Sequence, residues 1–386
     1  MTTSMRHQPT RLQAKASHAA KPERIALTAS SVDPIRVHMV GSAWFGTDRG
    51  GSTRYFSDLF AALQRRPDIS ATAAAFGVAD PGGQSWGSFD RGTISRVRSS
   101  RSAPPADTAI VDRHYALYGR GAPRGASVVT HFHGPWSLES AAAGKNKPTV
   151  AVQRFVEQAR YRRSERFVVL SRAFKALLVE RYRVHPEAVS VIPPGVDLTR
   201  FEPSAIPDGP PRVLCVRRLE RRMGLDVLLD AWPAVLADVP DAQLDIIGTG
   251  SIAGELSAHV AGLGIEHSVK LCGQASDAEL TEAYRAATVT VVPTRSLEGF
   301  GLIALESLAA GRAPVVTDVG GLPDSVHDLA HDLVVPPENP AMLAERLVGA
   351  LQGDRPDVAR CRAHAENFSW SACADRHAAL YHEVRG

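Results

Sequence analysis

Two carboxylates, Glu298 and Glu306, are separated by seven residues in a stretch (293–324) that reads PTRSLEGFGLIALESLAAGRAPVVTDVGGLPD. Between them Gly299, Phe300 and Gly301 lead into Leu302, Ile303, Leu305, Leu308 and Ala309, apolar residues at helical spacing. A helix starting there leaves its first backbone N–H groups, around Gly301 and Leu302, unpaired and favourable to an anion such as phosphate. The glycines on either side of Phe300 let the backbone approach a ligand closely. Carboxylates beside a phosphate are repulsive unless they address hydroxyls instead. A sugar nucleotide reconciles the two, with its diphosphate on the helix end, one Glu on ribose hydroxyls and the other on the donor sugar. A solvated helix face also carries paired glutamates, but it does not need the flanking glycines, the strand before them or the loop after them.

The elements that must hold this group in place are legible around it. The apolar run 287–292 reads as a buried parallel strand, Gly311 as a helix stop, and 313–317 as the next strand. Strand, helix and strand in that order form one parallel crossover unit. Upstream, 212–216 is an apolar strand followed by Arg217, Arg218, Leu219, Glu220, Arg221, Arg222, Met223 and Gly224, with a helix from Leu225. A strand at 244–247 ends in GTGS, where Gly248 allows close approach of a phosphate or simply turns the chain. A short strand at 269–271, a helix at 277–287, a strand at 332–337, a helix at 340–351 and an amphipathic helix at 368–384 complete this half.

Two glutamates around GFGLIALE, followed by an AAG turn and GGLPD, resemble the retaining glycosyltransferases of family 4. The resemblance is specific in roughly the second half of the chain and weaker before it. It implies the GT-B fold, an α/β architecture of two Rossmann-like domains facing each other across a cleft. It also implies transfer of a sugar from a nucleotide diphosphate donor, with UDP-hexose favoured, to an acceptor hydroxyl, with retention and without a metal or other cofactor. Glu298 would orient the donor sugar and Glu306 the ribose. In similar enzymes the loop after the 212–216 strand supplies an Arg and a Lys to the diphosphate. Arg218 matches the Arg, but the position before Gly224 is Met223, so Arg222 is expected to act in place of the Lys.

The first half carries fewer signals. A strand at 35–40 leads into Gly50, Gly51 and a helix marked by Tyr55, Phe56, Leu59, Phe60 and Leu63. The spacing is not GxGxxG, which argues against a dinucleotide site. By the resemblance, Gly50 and Gly51 face the cleft beneath the donor diphosphate. The stretch 81–105 reads as loops around a weak strand, and 108–111 as a strand ending before Asp112, Arg113 and His114. SVVTHFH at 127–133 is a strand running into Gly134, and a His at such an end lies where open α/β sheets bind ligands. His133, nearer the edge than His131, is the residue expected close to the donor sugar, against the plainer reading of a structural His. The basic segment 155–166 could meet an anionic acceptor or acidic lipid heads, although Glu157 and Glu165 dilute its charge. Strands follow at 167–170 and 189–192.

At 386 residues with a formal charge of +3, the chain has room for two domains and no electrostatic case for nucleic acid. No run is long enough to span a bilayer, and residues 1–26, with five basic and one acidic side chain, have no apolar core for a secretory signal. Cys215, Cys272, Cys361 and Cys373 lack metal-ligand spacing and are expected to be buried free thiols of a cytoplasmic protein. The expected organisation is a disordered basic tail at 1–33, an acceptor-side domain at 34–195 and a linker at 196–211. A nucleotide-sugar domain follows at 212–365, with a last helix at 366–386 returning to the first domain. A sugar-nucleotide epimerase or hydrolase, and a silent sugar-nucleotide binder, are the alternatives that share this donor site. An NAD oxidoreductase lacks its fingerprint.

Overall fold

The computed structural model describes residues 33–142 and 144–386, so the tail expected at 1–33 lies, but for Asp33, outside the described residues. Two parallel sheets account for the strands. The first contains β1 (Ile35–Ala43), β2 (Ile69–Phe76), β3 (Gly83–Ser85), β4 (Ile110–Arg113), β5 (Ser127–Phe132), β6 (Arg166–Val169) and β7 (Val189–Val191), in the order β3-β2-β1-β4-β5-β6-β7. The second contains β8 (Arg212–Val216), β9 (Gln243–Ile247), β10 (Val269–Gly273), β11 (Val289–Val292), β12 (Pro314–Thr317) and β13 (Val334–Val335), in the order β10-β9-β8-β11-β12-β13. Both orders reverse direction between the first and fourth strands, so each sheet opens a crevice beyond those strand ends. The α/β fold of two Rossmann-like units is therefore present.

Central strands such as β4, β5, β11 and β12 are buried along their whole length, as helices on both faces require. β2 escapes sequence reading because its ISATAAAF is alanine-rich, yet Ala73–Phe76 are fully enclosed. A short helix, Thr93–Ser99, also occupies the stretch expected to be loop. β4 runs two residues further than expected and takes in Asp112 and Arg113. The basic helix is Lys147–Tyr161, so Arg162 to Glu165 form the turn before β6 rather than more helix. Cys215, Cys361 and Cys373 are buried, but Cys272 is exposed, against expectation, because its short edge strand leaves that side chain uncovered.

The chain crosses between the sheets twice, side by side. Val196 N donates to Phe368 O at 2.7 Å, and a Cβ on Gly195 would lie 2.3 Å from the Trp370 ring. The segment after the first crossing is clasped by Arg312, wholly buried, which donates to Ser204 O (2.6 Å), Ala205 O (3.1 Å) and Arg285 O (2.7 Å). After the second crossing the helix Trp370–Arg385 packs on the helix Gly51–Gln64 of the first sheet. Tyr381 there donates to Asp112 Oδ2 at 2.6 Å, and Arg166 pairs with Glu383 at 3.1 Å.

Candidate active site

The two crevices predicted by strand order hold the chemistry-bearing residues. In the second sheet Arg217 and Arg218 follow β8, and the Glu298 loop follows β11, its neighbour across the switch point. This loop is over-determined. Gly301 has φ 88° and caps the helix Leu302–Ala309, and a Cβ on it would lie 2.4 Å from Leu322 Cδ2. Leu297 adopts φ 56°, unusual for a bulky residue, and its carbonyl accepts from Arg222 Nη1 at 3.1 Å. The Gly320–Gly321 pair of GGLPD lets a turn cross the loop backbone, with Gly321 N donating to Glu298 O at 3.0 Å.

Glu298 Oε2 accepts from Arg217 Nη2 at 2.5 Å, and Arg217 also donates to Thr294 Oγ1. Sequence reasoning passed over Arg217. Its signal was its place directly after the central strand, and it is buried where Arg218 is exposed. Arg222 is half-buried, with one N–H committed to Leu297; burial and then the Arg218 charge lower its pKa, against Glu298 and Glu139. Glu139 belongs to the helix Trp136–Ala142 of the first domain, so it faces the arginine loop across the crevice. Desolvation raises its pKa, and Arg222 and Arg218 oppose that rise.

Glu306 lies one turn into its helix, buried, and accepts from Tyr284 Oη at 3.0 Å. Burial raises its pKa against the nearby Arg54 charge, which comes from the first domain's Gly51–Gln64 helix. Arg54 and Tyr284 carry no motif, and only the fold brings them to Glu306. A small cavity of about 10 Å³ lies between Glu306, Arg54, Asp197 and Leu302.

The N-termini of two helices meet here. Gly50 caps the Gly51–Gln64 helix, and a Cβ on Gly51 would be 3.9 Å from Leu302 Cδ1, the first residue of the Glu306 helix. A Cβ on Gly299 would lie 3.5 Å from His133 O, so this glycine also borders the first domain. Two expected binding residues have other work. Phe300 is buried and packs near Phe368 (ring centroids 5.7 Å), which leaves its backbone alone to meet a ligand. Gly248 is required because a Cβ would lie 1.8 Å from Arg217 O, so its lack of a side chain admits the arginine strand end rather than a phosphate.

His133 is partly exposed at the end of β5, while His131 is buried and bound to Asp112 at 3.0 Å. His133 Nε2 lies 3.2 Å from His114 Nδ1, and His114 Nε2 lies 3.3 Å from Asp112 Oδ2. Burial holds His133 well below the usual imidazole range and His131 at about 4, so both are neutral near pH 7. Among the described residues, His114, His131 and His133 bring ligand atoms within 4.8 Å of one another. The rings of His114 and His131 stack at 3.8 Å and both direct Nε2 to Asp112. No helix among the described residues is long and apolar enough to cross a membrane.

Residues 197–368 match the family model described as Glycosyl transferases group 1, and residues 49–200 the model described as Glycosyltransferase Family 4. D-inositol 3-phosphate glycosyltransferase 1 of Catenulispora acidiphila is 32% identical over 76% of this chain and 77% of its own. The D-inositol 3-phosphate glycosyltransferase of Geodermatophilus obscurus is 30% identical over 75% and 69%. Among solved structures, sucrose-phosphate synthase of Thermosynechococcus elongatus superposes with a TM-score of 0.69 at 20% identity, covering 91% of this chain and 99% of that one. HepE of Anabaena, solved with UDP and glucose, gives 0.68 at 16% identity, covering 90% and 99%. These two likenesses concern the fold.

Proposed function

This chain belongs to the group 1 glycosyltransferases, enzymes of GT-B fold, and we propose that it moves a hexose from a UDP-linked donor to an acceptor hydroxyl, with retention and without a metal. The observation that carries this reading is the meeting of two helix N-termini, at Gly51 and Leu302, between the carboxylates Glu298 and Glu306. Such ends favour a diphosphate, and the flanking carboxylates suit hydroxyls on either side of it. The UDP and glucose held by HepE make UDP-hexoses the first donors to test.

In this mechanism the bond from the anomeric carbon to the diphosphate oxygen breaks as the sugar acquires oxocarbenium character. Arg218, Arg222 and the helix ends at Gly50–Gly51 and Gly301–Leu302 stabilise the negative charge that develops on the diphosphate. The acceptor oxygen forms its bond on the face that the diphosphate leaves, and its proton passes to a diphosphate oxygen. Glu298, fixed by Arg217, orients sugar hydroxyls; Glu306 holds the ribose; neutral His133 contacts the sugar. The inositol phosphate in the relatives' name gives a first acceptor to assay.

The test is titration of UDP, GDP, UDP-glucose, UDP-N-acetylglucosamine and GDP-mannose into wild type and Glu306→Ala, followed by turnover with candidate acceptors. Selective binding of one sugar nucleotide, weakened at least about tenfold without Glu306, is expected. Equal consumption of donor with and without acceptor would reassign the protein to hydrolysis or epimerisation. Binding without turnover would make it a sensor.

A further inference from the structure

A second pocket, of about 480 Å³, lies in the first domain and is lined by Arg101, Gly119, Arg120, Gly121 and Arg160. That volume suits a small molecule rather than a bare ion. Gly119, at φ 81°, crosses over the end of β1, where a Cβ would lie 2.7 Å from Val40 Cγ1, so the pocket opens at the ligand-binding edge of the sheet. Arg160 is tied to its wall by donating to Gly119 O at 3.0 Å.

The charge here is uncompensated. None of Arg101, Arg113, Arg120, Arg160 and Arg163 forms an ion pair among the described residues. Arg113, the last residue of β4, is 2% exposed, and its Nε and Nη1 have no hydrogen-bond partner among the described residues. The charges that act on it are Arg160, Arg163 and Asp112, and the Asp112 carboxylate is already bound by His114, His131 and Tyr381. Those that act on Arg160 are Arg163 and Arg101. Burial, then repulsion by Arg160 and Arg163, lowers the Arg113 pKa to about 10. A buried guanidinium with free N–H groups and cationic neighbours calls for an anion, and the fork of an arginine fits phosphate oxygens in pairs.

We propose that this pocket binds a phosphate ester carried by the acceptor, with Arg101, Arg120 and Arg160 on the phosphate and Arg113 behind them. The inference rests on the transferase reading above. The pocket is on the first domain, away from the arginines that follow β8, so it serves the acceptor and not the donor. Arg113 directly precedes His114, whose Nδ1 is 3.2 Å from His133 Nε2. A phosphorylated polyol in solution and a phospholipid headgroup share this chemistry.

The experiment uses the full chain and the double variant Arg101→Glu/Arg120→Glu; both side chains are exposed, so the fold should survive. The probes are inorganic phosphate, D-inositol 3-phosphate, inositol, and phosphatidylcholine vesicles with and without phosphatidylglycerol. Binding of the inositol phosphate but not inositol, weakened at least about tenfold by the double variant, supports a soluble phosphorylated acceptor. Binding of only the phosphatidylglycerol vesicles, lost in the variant, supports a lipid-borne phosphate. Binding of none of the anionic probes, or binding unaffected by the charge reversal, overturns the proposal. UDP-sugar affinity is measured in the same samples. If it is intact while anion binding fails, the pocket is wrong and the donor site stands; if it is absent in the wild type, the transferase reading itself fails.

Discussion

Arg217 Nη2 lies 2.5 Å from Glu298 Oε2, a charge-assisted bond that ties the end of β8 to the loop after β11 across the switch point of the second sheet. The pair is largely withdrawn from water, with 6% and 17% of the two side chains exposed. Removing one partner of such a pair leaves an uncompensated charge. Arg217→Met should therefore lower stability by about 3 kcal/mol in chemical denaturation. It should also reduce kcat by roughly a hundredfold, since Glu298 loses its orientation. Wild-type kcat in a folded Arg217→Met would detach Glu298 from catalysis.

Arg222 has two jobs that substitution can separate. Its guanidinium braces Leu297, and its charge faces the crevice with Arg218. Arg222→Ala should cost roughly a hundredfold in kcat with a smaller change in KM, because leaving-group charge develops only in the transition state. Arg222→Lys should recover part of that loss by restoring the charge without the fork. Equal defects in the two variants would mean that the brace, not the charge, matters.

Acid should unfold this protein early. His38, His131 and His377 are buried, and burial lowers each pKa from 6.5 to about 4. The unfolded chain takes up these protons first as pH falls, so the stability they contribute is complete above about 6.5 and is lost towards 4. Each histidine adds about 1.4 kcal/mol per pH unit to that slope in mid-window. Urea denaturation between pH 4.5 and 7, the range in which the effect is expected on the order of several kcal/mol, should show the decline. His377→Gln should reduce the slope by about one proton, and an unchanged slope would mean that His377 is not neutral in the fold.

Arg312 should behave as a structural bolt without a catalytic part. Its guanidinium serves carbonyls at Ser204, Ala205 and Arg285. Arg312→Lys cannot reach all three, so a loss on the order of 3 kcal/mol is expected in denaturation, with kcat near wild type in the folded fraction. A selective loss of kcat at unchanged stability would point instead to control of domain orientation.

What the chain disclosed by itself was local. The glycines around Phe300, the helical spacing from Leu302 and the strand runs on either side are short-range consequences of backbone sterics and apolar periodicity. They suffice to mark an anion-favouring helix end between Glu298 and Glu306 and the family resemblance that goes with it. His133 was singled out over His131 on the same kind of local ground, its nearness to a strand's end, and the two differ in burial accordingly. Alanine-rich β2 stayed hidden because its residues give no contrast between faces. Only the tertiary structure decided that Arg217 rather than Arg218 holds Glu298, that Arg54 from the other domain sits by Glu306, and that Phe300 points into the core. Those pairings join residues tens to hundreds of positions apart, and they follow from strand order and domain closure, which no window of sequence encodes. Arg101, Arg113, Arg120, Arg160 and Arg163 make the same point: two on β4 and the helix Lys147–Tyr161 and three in the loops between elements, they become one uncompensated charge only when the fold gathers them.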